Sequence, residues 1–232
     1  MRIDILSLFP SYFQGPFDES IIKQAKQKGI VDIRLTDIRL FSDLRGARVD
    51  DRPYGGGPGM VMMAEPVAKA IRHAKQDANE RAKVIYLSPQ GTPLTAAKCR
   101  SLAQEKHLIL LCGHYEGIDE RVLETEVDEE ISIGDYVLTN GCLAAIVLVD
   151  ATVRFVPGVL GHAEAALQDS FENELLDCPH YTRPEEFEGR SVPEVLLSGH
   201  HKEIAKWRHQ SAKAKTERVR PDLLKFMGEN DR

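Results

Sequence analysis

Three segments of the chain set glycine beside hydrogen-bonding side chains directly after a short apolar run. They are Leu87-Ser88-Pro89-Gln90-Gly91, Gly113-His114-Tyr115-Glu116-Gly117 and the stretch from Ile133 to Gly141. Glycine lets backbone amides come close to a ligand. Ser88 and Tyr115 can donate hydrogen bonds and Glu116 can accept them. One such loop is ordinary in an α/β protein, whereas three in succession point to a shared pocket. The usual phosphate cradles are disfavoured. No G-x-x-x-x-G-K-[ST] occurs, no G-x-G-x-x-G follows a strand, and Gly55-Gly56-Gly57-Pro58-Gly59 lacks a following Lys-Ser/Thr. A dinucleotide or ATP site is therefore not expected.

The elements that must carry these loops are legible in outline. Ile3 to Phe9, Val31 to Leu35, Val84 to Leu87, Leu108 to Cys112 and Glu130 to Ile133 read as strands. Ser20 to Lys28, a run starting at Pro66, Thr95 to Gln104 and Leu143 to Arg154 read as helices. Strands alternating with helices predict an α/β fold with a mostly parallel sheet covered on both faces. In such sheets ligands bind outside the carboxyl ends of the strands, where all three loops fall. Residues 42–61 form a long polar, glycine-rich stretch, and a loop of that length is usually functional or mobile. Pro157 to Gln168 is rich in small residues and reads as a linker. Beyond it, Pro193 to Ser198, Lys202 to Lys213 and Pro221 to Met227 are expected helices of a small C-terminal domain.

A chain of 232 residues can hold one large domain, or one domain with a small companion. The formal net charge of −6 argues against a uniformly basic nucleic-acid binder. From Lys202 to Arg220, however, seven basic residues face only Glu203 and Glu217. A local basic face suffices for a phosphate backbone, because the field extends only about 8–10 Å at physiological salt. A solvated helix face is the ordinary alternative. Trp207 in that run is expected in a core. Cys99, Cys112, Cys142 and Cys178 lie far apart, as reduced thiols of a cytoplasmic protein would, and no zinc spacing is present. Met1-Arg2-Ile3-Asp4 is not expected to begin a secretion signal. The apolar run Leu143 to Val149 is too short to span a bilayer.

Several longer motifs carry a resemblance. Asp51-Arg52-Pro53-Tyr54-Gly55-Gly56-Gly57-Pro58-Gly59-Met60, the first two glycine loops, Ile133-Gly134-Asp135-Tyr136-Val137-Leu138, Asp169-Ser170-Phe171 and Leu176-Asp177-Cys178-Pro179-His180-Tyr181-Thr182-Arg183-Pro184 together resemble the TrmD-type tRNA (guanine-N1) methyltransferases. The resemblance runs in order over nearly the whole chain. It implies a SPOUT-type domain with a trefoil knot over 1–160, a flexible linker over 161–170, and a helical tRNA-binding domain over 171–232. It implies S-adenosylmethionine as methyl donor, held by Leu87, Ser88, Pro89, Gly113, Glu116, Ile133, Gly134, Asp135, Tyr136, Val137, Leu138 and Gly141. A homodimer with each active site shared between subunits, an anticodon stem-loop as partner and a requirement for Mg2+ are further implications. No spacing in the sequence locates a metal.

By the same resemblance, the substrate is guanine at tRNA position 37 when guanine precedes it. Asp169 is then the general base and Arg154 the cation that stabilises charge on guanine O6. Without the resemblance, Asp169 would read as a helix cap and Arg154 as an ion-pair partner of Asp150. Two alternatives stay open: a SPOUT-type enzyme acting on another RNA position, and a non-catalytic RNA-binding module. The chain departs from the family after Leu138. Asn140-Gly141-Cys142-Leu143-Ala144-Ala145 stands where the family usually has Gly-Gly-Glu-Leu-Pro-Ala. Asn140 is expected to keep the turn by tolerating a positive φ.

Overall fold

A computed structural model describes residues 1–76, 81–161 and 169–228. Contacts divide the chain into two compact units, Met1–Ala163 and Glu164–Arg232. The first unit holds a five-stranded sheet in the order β2-β1-β6-β5-β7. Its strands are β1 (Arg2–Ser7), β2 (Asp32–Asp37), β5 (Lys83–Pro93), β6 (His107–Cys112) and β7 (Glu129–Ser132). Every pairing among them is parallel. The short strands β3 (Asp50–Asp51) and β4 (Val61–Met62) pair antiparallel inside the long glycine-rich stretch.

Side chains alternate across a strand, and here the alternation fills two cores. Ile3 and Ile5 of β1, Ile85 and Leu87 of β5, and Leu108 and Leu110 of β6 point to one face. Leu6, Val84, Tyr86, Ile109 and Leu111 point to the other. The first core is closed by helices α1 (Ser20–Gln27), α3 (Ala96–Leu102) and α5 (Cys142–Val153); the second by α2 (Ala64–Gln76) and α4 (Glu120–Glu126). Thus the expected helix-covered parallel sheet is present. Pro66 sits in the first turn of α2, where its missing N–H costs nothing. Thr95 caps α3 by accepting from the Lys98 N–H at 3.2 Å.

Helix α4 carries only a short apolar face, Val122 and Leu123, and sequence gives no helix there. It is started by Asp119, whose carboxylate accepts from the Arg121 N–H at 3.1 Å. Strand β5 continues beyond the expected end at Leu87. Ser88 to Gly91 leaves the ladder, and pairing with β7 resumes at Thr92 opposite Ile131. The excursion bends this segment out of the sheet while both its ends stay anchored. No helix among the described residues is long and apolar enough to cross a membrane.

The second unit contains a two-stranded antiparallel ribbon, β8 (Glu186–Phe187) with β9 (Arg190–Ser191), then α6 (Glu194–Leu197) and α7 (His201–Val219). Helix α7 is longer than the Lys202–Lys213 run expected from sequence, and Pro221–Gly228 follows as 3-10 turns. Thr216 fixes the preceding segment to α7. Its hydroxyl donates to the Ala212 carbonyl at 2.8 Å and accepts from the Leu176 N–H at 2.9 Å. Of the expected linker Pro157 to Gln168, residues 162–168 lie outside the described residues.

Candidate active site

The carboxyl ends of β6, β5 and β7 are neighbours in the sheet, so the loops that follow them converge. They line a cleft of about 840 Å³, open solvent at its mouth included. Leu87, Ser88, Pro89, Gly113, Glu116, Ile133, Gly134, Tyr136, Val137, Leu138 and Gly141 all line it. Asp135 does not; it is exposed outside the lining. Tyr86, Ile131, Ser132 and Ala144 lie outside the three loops that sequence singled out, yet also line the cleft. Tyr86 and Ala144 read simply as apolar residues of their elements, so no local signal marked them.

The cleft wall is held by local hydrogen bonds made by its own backbone N–H groups. Ser88 Oγ accepts from the Gln90 N–H at 3.1 Å, and Ser132 Oγ accepts from the Gly134 N–H at 3.2 Å. The Gly141 N–H donates to the Gly113 carbonyl at 2.9 Å and joins the second loop to the third. Asn140 keeps its turn differently from expectation. It is not among the positive-φ residues, and its side-chain oxygen instead accepts from the Cys142 N–H at 2.9 Å, capping α5. Tyr86 forms the floor. Burial, helped by the nearby Glu130 charge, pushes its hydroxyl up to about 12, so it remains a neutral phenol. A Cβ on Gly113 would lie 2.7 Å from that hydroxyl, so a larger residue there would have to displace the Tyr86 ring.

Tyr115 is 44% exposed and adopts φ +58°. A left-handed backbone costs a non-glycine residue about 1–2 kcal/mol. Its ring lies 4.2 Å from that of His114, centroid to centroid. The glycine-rich stretch is docked on this same loop. The Glu116 N–H donates to the Met60 carbonyl at 2.9 Å, and the Met62 N–H to that of Gly117 at 2.9 Å. Gly59 (φ +82°) packs so closely that a Cβ there would lie 2.3 Å from Glu116 Oε1. The long stretch expected only to be functional or mobile is thus a fixed neighbour of the cleft loop.

Arg154 is the residue that ends α5, is exposed, and does not line the cleft. Asp169 belongs to the second unit and is half-buried in a turn, where its carbonyl accepts from the Glu172 N–H at 3.4 Å. No helix follows it, so the helix-cap alternative does not apply. The next residue is anchored, since Ser170 Oγ accepts from the Asp177 N–H at 3.0 Å. Asp177 also bonds His180 Nε2 at 2.7 Å. Trp207 on α7 is half-buried, its ring 6.2 Å from that of Tyr181, rather than in a core. Lys202, Lys206, Arg208 and Lys213 on the same helix are exposed.

Among the described residues, Asp177, Cys178 and His180 form the one group whose donor atoms converge enough for a metal. Mg2+ takes oxygen ligands, and a thiol with an imidazole does not suit it. The carboxylate is already bonded to His180 and to the Cys178 N–H. These residues do not fit Mg2+, and no step of the chemistry is routed through it.

Fold and cleft together define an open parallel α/β protein with a cleft lined by the loops at its strand ends. The model of the tRNA (guanine-1)-methyltransferase family, TrmD, matches residues 1–226, and the chain belongs to that family. A tRNA (guanine-N(1)-)-methyltransferase of Protochlamydia amoebophila is 73% identical over 224 residues, which are 97% of this chain and 100% of that protein. Its counterpart in Chlamydia pneumoniae is 60% identical over 223 residues, 96% of this chain but 61% of that longer protein. The counterpart in Chlamydia muridarum is 59% identical, with 96% and 62% covered.

Proposed function

We propose that this chain transfers a methyl group from S-adenosylmethionine to N1 of a guanine in tRNA. The observation that carries the reading is the convergence of three backbone-lined loops at one end of the sheet, in a member of the tRNA (guanine-1)-methyltransferase family. The methyl donor supplies an electrophilic sulfonium methyl. Eleven of the twelve residues expected to hold it line the cleft, and Asp135 lies between two of them in the chain.

The rest of the chemistry follows from the acceptor. N1 of neutral guanine bears a proton, so its lone pair is freed only as a base takes that proton. Asp169 is the proposed base. A carboxylate with a reference pKa of about 3.9 is weak for this task, and help comes from stabilising negative charge on guanine O6, assigned to Arg154. The base must be unpaired and flipped out, as an anticodon-loop guanine can be, which suits position 37 after a preceding guanine. The exposed cations of α7 suit the anticodon stem. A homodimer with an active site shared between subunits is part of the same reading by family membership. The trefoil knot and a cytoplasmic location complete the reading by family membership.

The test is direct. Purified protein with isotopically labelled donor and a tRNA carrying guanines at positions 36 and 37 should yield 1-methylguanosine by nucleoside mass spectrometry. A ribose-methylated product would assign the cleft to another RNA position. No transfer from a folded protein that binds tRNA would leave only the binding module.

A further inference from the structure

Three side chains that the proposed reaction leaves unassigned converge in the second unit, within Asp177-Cys178-Pro179-His180. A carboxylate oxygen of Asp177, the Cys178 sulfur and a ring nitrogen of His180 all lie within 4.8 Å of one another. Asp177 Oδ1 accepts from the Cys178 N–H at 2.7 Å, while Oδ2 lies 2.7 Å from His180 Nε2. The backbone behind them is tied down at three points. The Leu176 N–H donates to Thr216 Oγ1 at 2.9 Å, the Asp177 N–H donates to Ser170 Oγ at 3.0 Å, and Lys215 Nζ donates to the Asp177 carbonyl at 3.4 Å. Cys178 is 7% exposed, so its thiol is held inside, whereas the His180 side chain is 73% exposed. The cluster therefore has sulfur at its buried side and a face open to solvent.

We infer that Asp177, Cys178 and His180 bind one Zn2+ ion, with water as the fourth ligand on the exposed side. Thiolate, imidazole and carboxylate are the three ligand types that Zn2+ takes, whereas Mg2+ and Ca2+ take oxygen. Tetrahedral bonds of about 2.0–2.3 Å set the donor atoms about 3.3–3.7 Å apart. His180 Nε2 and Asp177 Oδ2 must then open from 2.7 Å by about 0.6 Å, as the metal replaces the proton between them. The sulfur, within 4.8 Å of both, must close by about 1.2 Å at most. Rotation of the three side chains covers both changes and leaves the anchored backbone in place. Asp177 keeps its Oδ1 bond to the Cys178 N–H, which orients the carboxylate toward the ion. The Cys178 thiol releases its proton to solvent, each bond to the ion uses a ligand lone pair, and nothing is oxidised. The sequence shows no zinc pattern because all three ligands fall within four residues, shorter than the paired C-x-x-C and H-x-x-x-H spacings.

The test uses the reduced full-length protein after treatment with a chelator. Zn2+ is titrated by calorimetry and Co2+ by absorption, and neither readout depends on methyl transfer. One Zn2+ per chain is expected. Co2+ should give sulfur-to-metal charge-transfer absorption together with the intense visible bands of tetrahedral coordination. Protons compete for the thiolate and the imidazole, so affinity should fall as pH is lowered from about 7.5 to 6. His180→Ala, at an exposed position, should fold as wild type and weaken Zn2+ binding at least about tenfold, one decade on the binding scale. Cys178→Ser should abolish the charge-transfer absorption. Absence of bound Zn2+, wild-type affinity in His180→Ala, or charge-transfer absorption that survives in Cys178→Ser overturns the proposal. Should Cys178→Ser fail to fold, His180→Ala decides it alone.

Discussion

Gly141→Ala tests whether the cleft depends on the close approach of two loops. Gly141 has φ −77° and ψ −2°, an ordinary conformation for alanine, so the substitution carries no dihedral penalty. The new methyl would lie 3.0 Å from the Cys112 Cα and 3.1 Å from the Gly113 nitrogen, both backbone atoms. Carbon atoms rest about 3.5–4.0 Å apart, so the loops must give by a few tenths of an ångström. Overpacking of this kind costs about 1–3 kcal/mol, offset by about 0.4–1 kcal/mol from the stiffer unfolded chain. The melting temperature should fall by about 2–4 °C for each net kcal/mol. A ligand that needs both loops at native spacing must restore the strain. Near the middle of the range, about 2 kcal/mol, this weakens binding about thirtyfold. Calorimetry with S-adenosylhomocysteine measures it. Gly161→Ala, which meets nothing within 4 Å, is the control and should change neither quantity. Wild-type affinity in Gly141→Ala, within twofold, would refute the claim that this approach shapes the cleft.

Three further outcomes follow from named contacts. Asn140→Ala removes the acceptor that caps α5 and should cost about 1 kcal/mol in chemical denaturation, whereas Asn140→Asp should retain most of it. Asp169→Ala should lower single-turnover methylation by about 10²–10⁴-fold while leaving S-adenosylhomocysteine affinity unchanged; a rate within a few fold would remove Asp169 as the base. Glu126→Gln should be less stable than wild type at pH 7, with the difference fading in acid. Although burial raises the Glu126 pKa, bonds from Lys75 at 2.9 Å and Arg72 at 2.6 Å outweigh it and lower the pKa below its usual 4.5. The unfolded chain then binds the proton first. This stability is fully present above about pH 4.5 and is lost as pH falls through the folded value. A difference that persists unchanged at pH 2 would contradict it.

What sequence revealed of this site follows from which forces are local. The strand runs around Ile85, Leu110 and Ile131 declare themselves through apolar composition, and the loops after them through glycine. Burial and backbone geometry act on the same few residues there. The excursion Ser88 to Gly91 was legible as a turn, but not its return to the sheet, because pairing of Thr92 with Ile131 is a long-range bond. Docking of Gly59 on Glu116 was hidden for the same reason: the two are 57 positions apart, and only the assembled sheet brings them together. Asn140 was legible as a turn-holder, but by the wrong device. A side-chain oxygen aimed at the N–H two residues ahead competes with a left-handed backbone, and here the cap prevails.

The two ends of the sheet use different chemistry, and the difference explains why the cleft can be built from backbone. At the amino ends, charges hold the strands. Asp4 at 3% exposure accepts from Arg2 Nε and lies 2.6 Å from His107 Nε2, tying β1 to β6. Glu129 joins Lys83 at 2.9 Å and also bonds Lys98, tying β7 to β5 and α3. A buried carboxylate is tolerable only when so partnered, and each such partner fixes a strand start in register. With the starts fixed, the carboxyl ends need no cross-strand charges of their own. Their loops can expose main-chain donors, small residues and one strained tyrosine, Tyr115, without loosening the sheet. Substitutions at Asp4 or Glu129 should therefore act on stability and leave donor affinity of the folded protein intact, whereas Gly113 and Gly141 govern affinity. Stability and recognition are separable here because the same strands carry them at opposite ends.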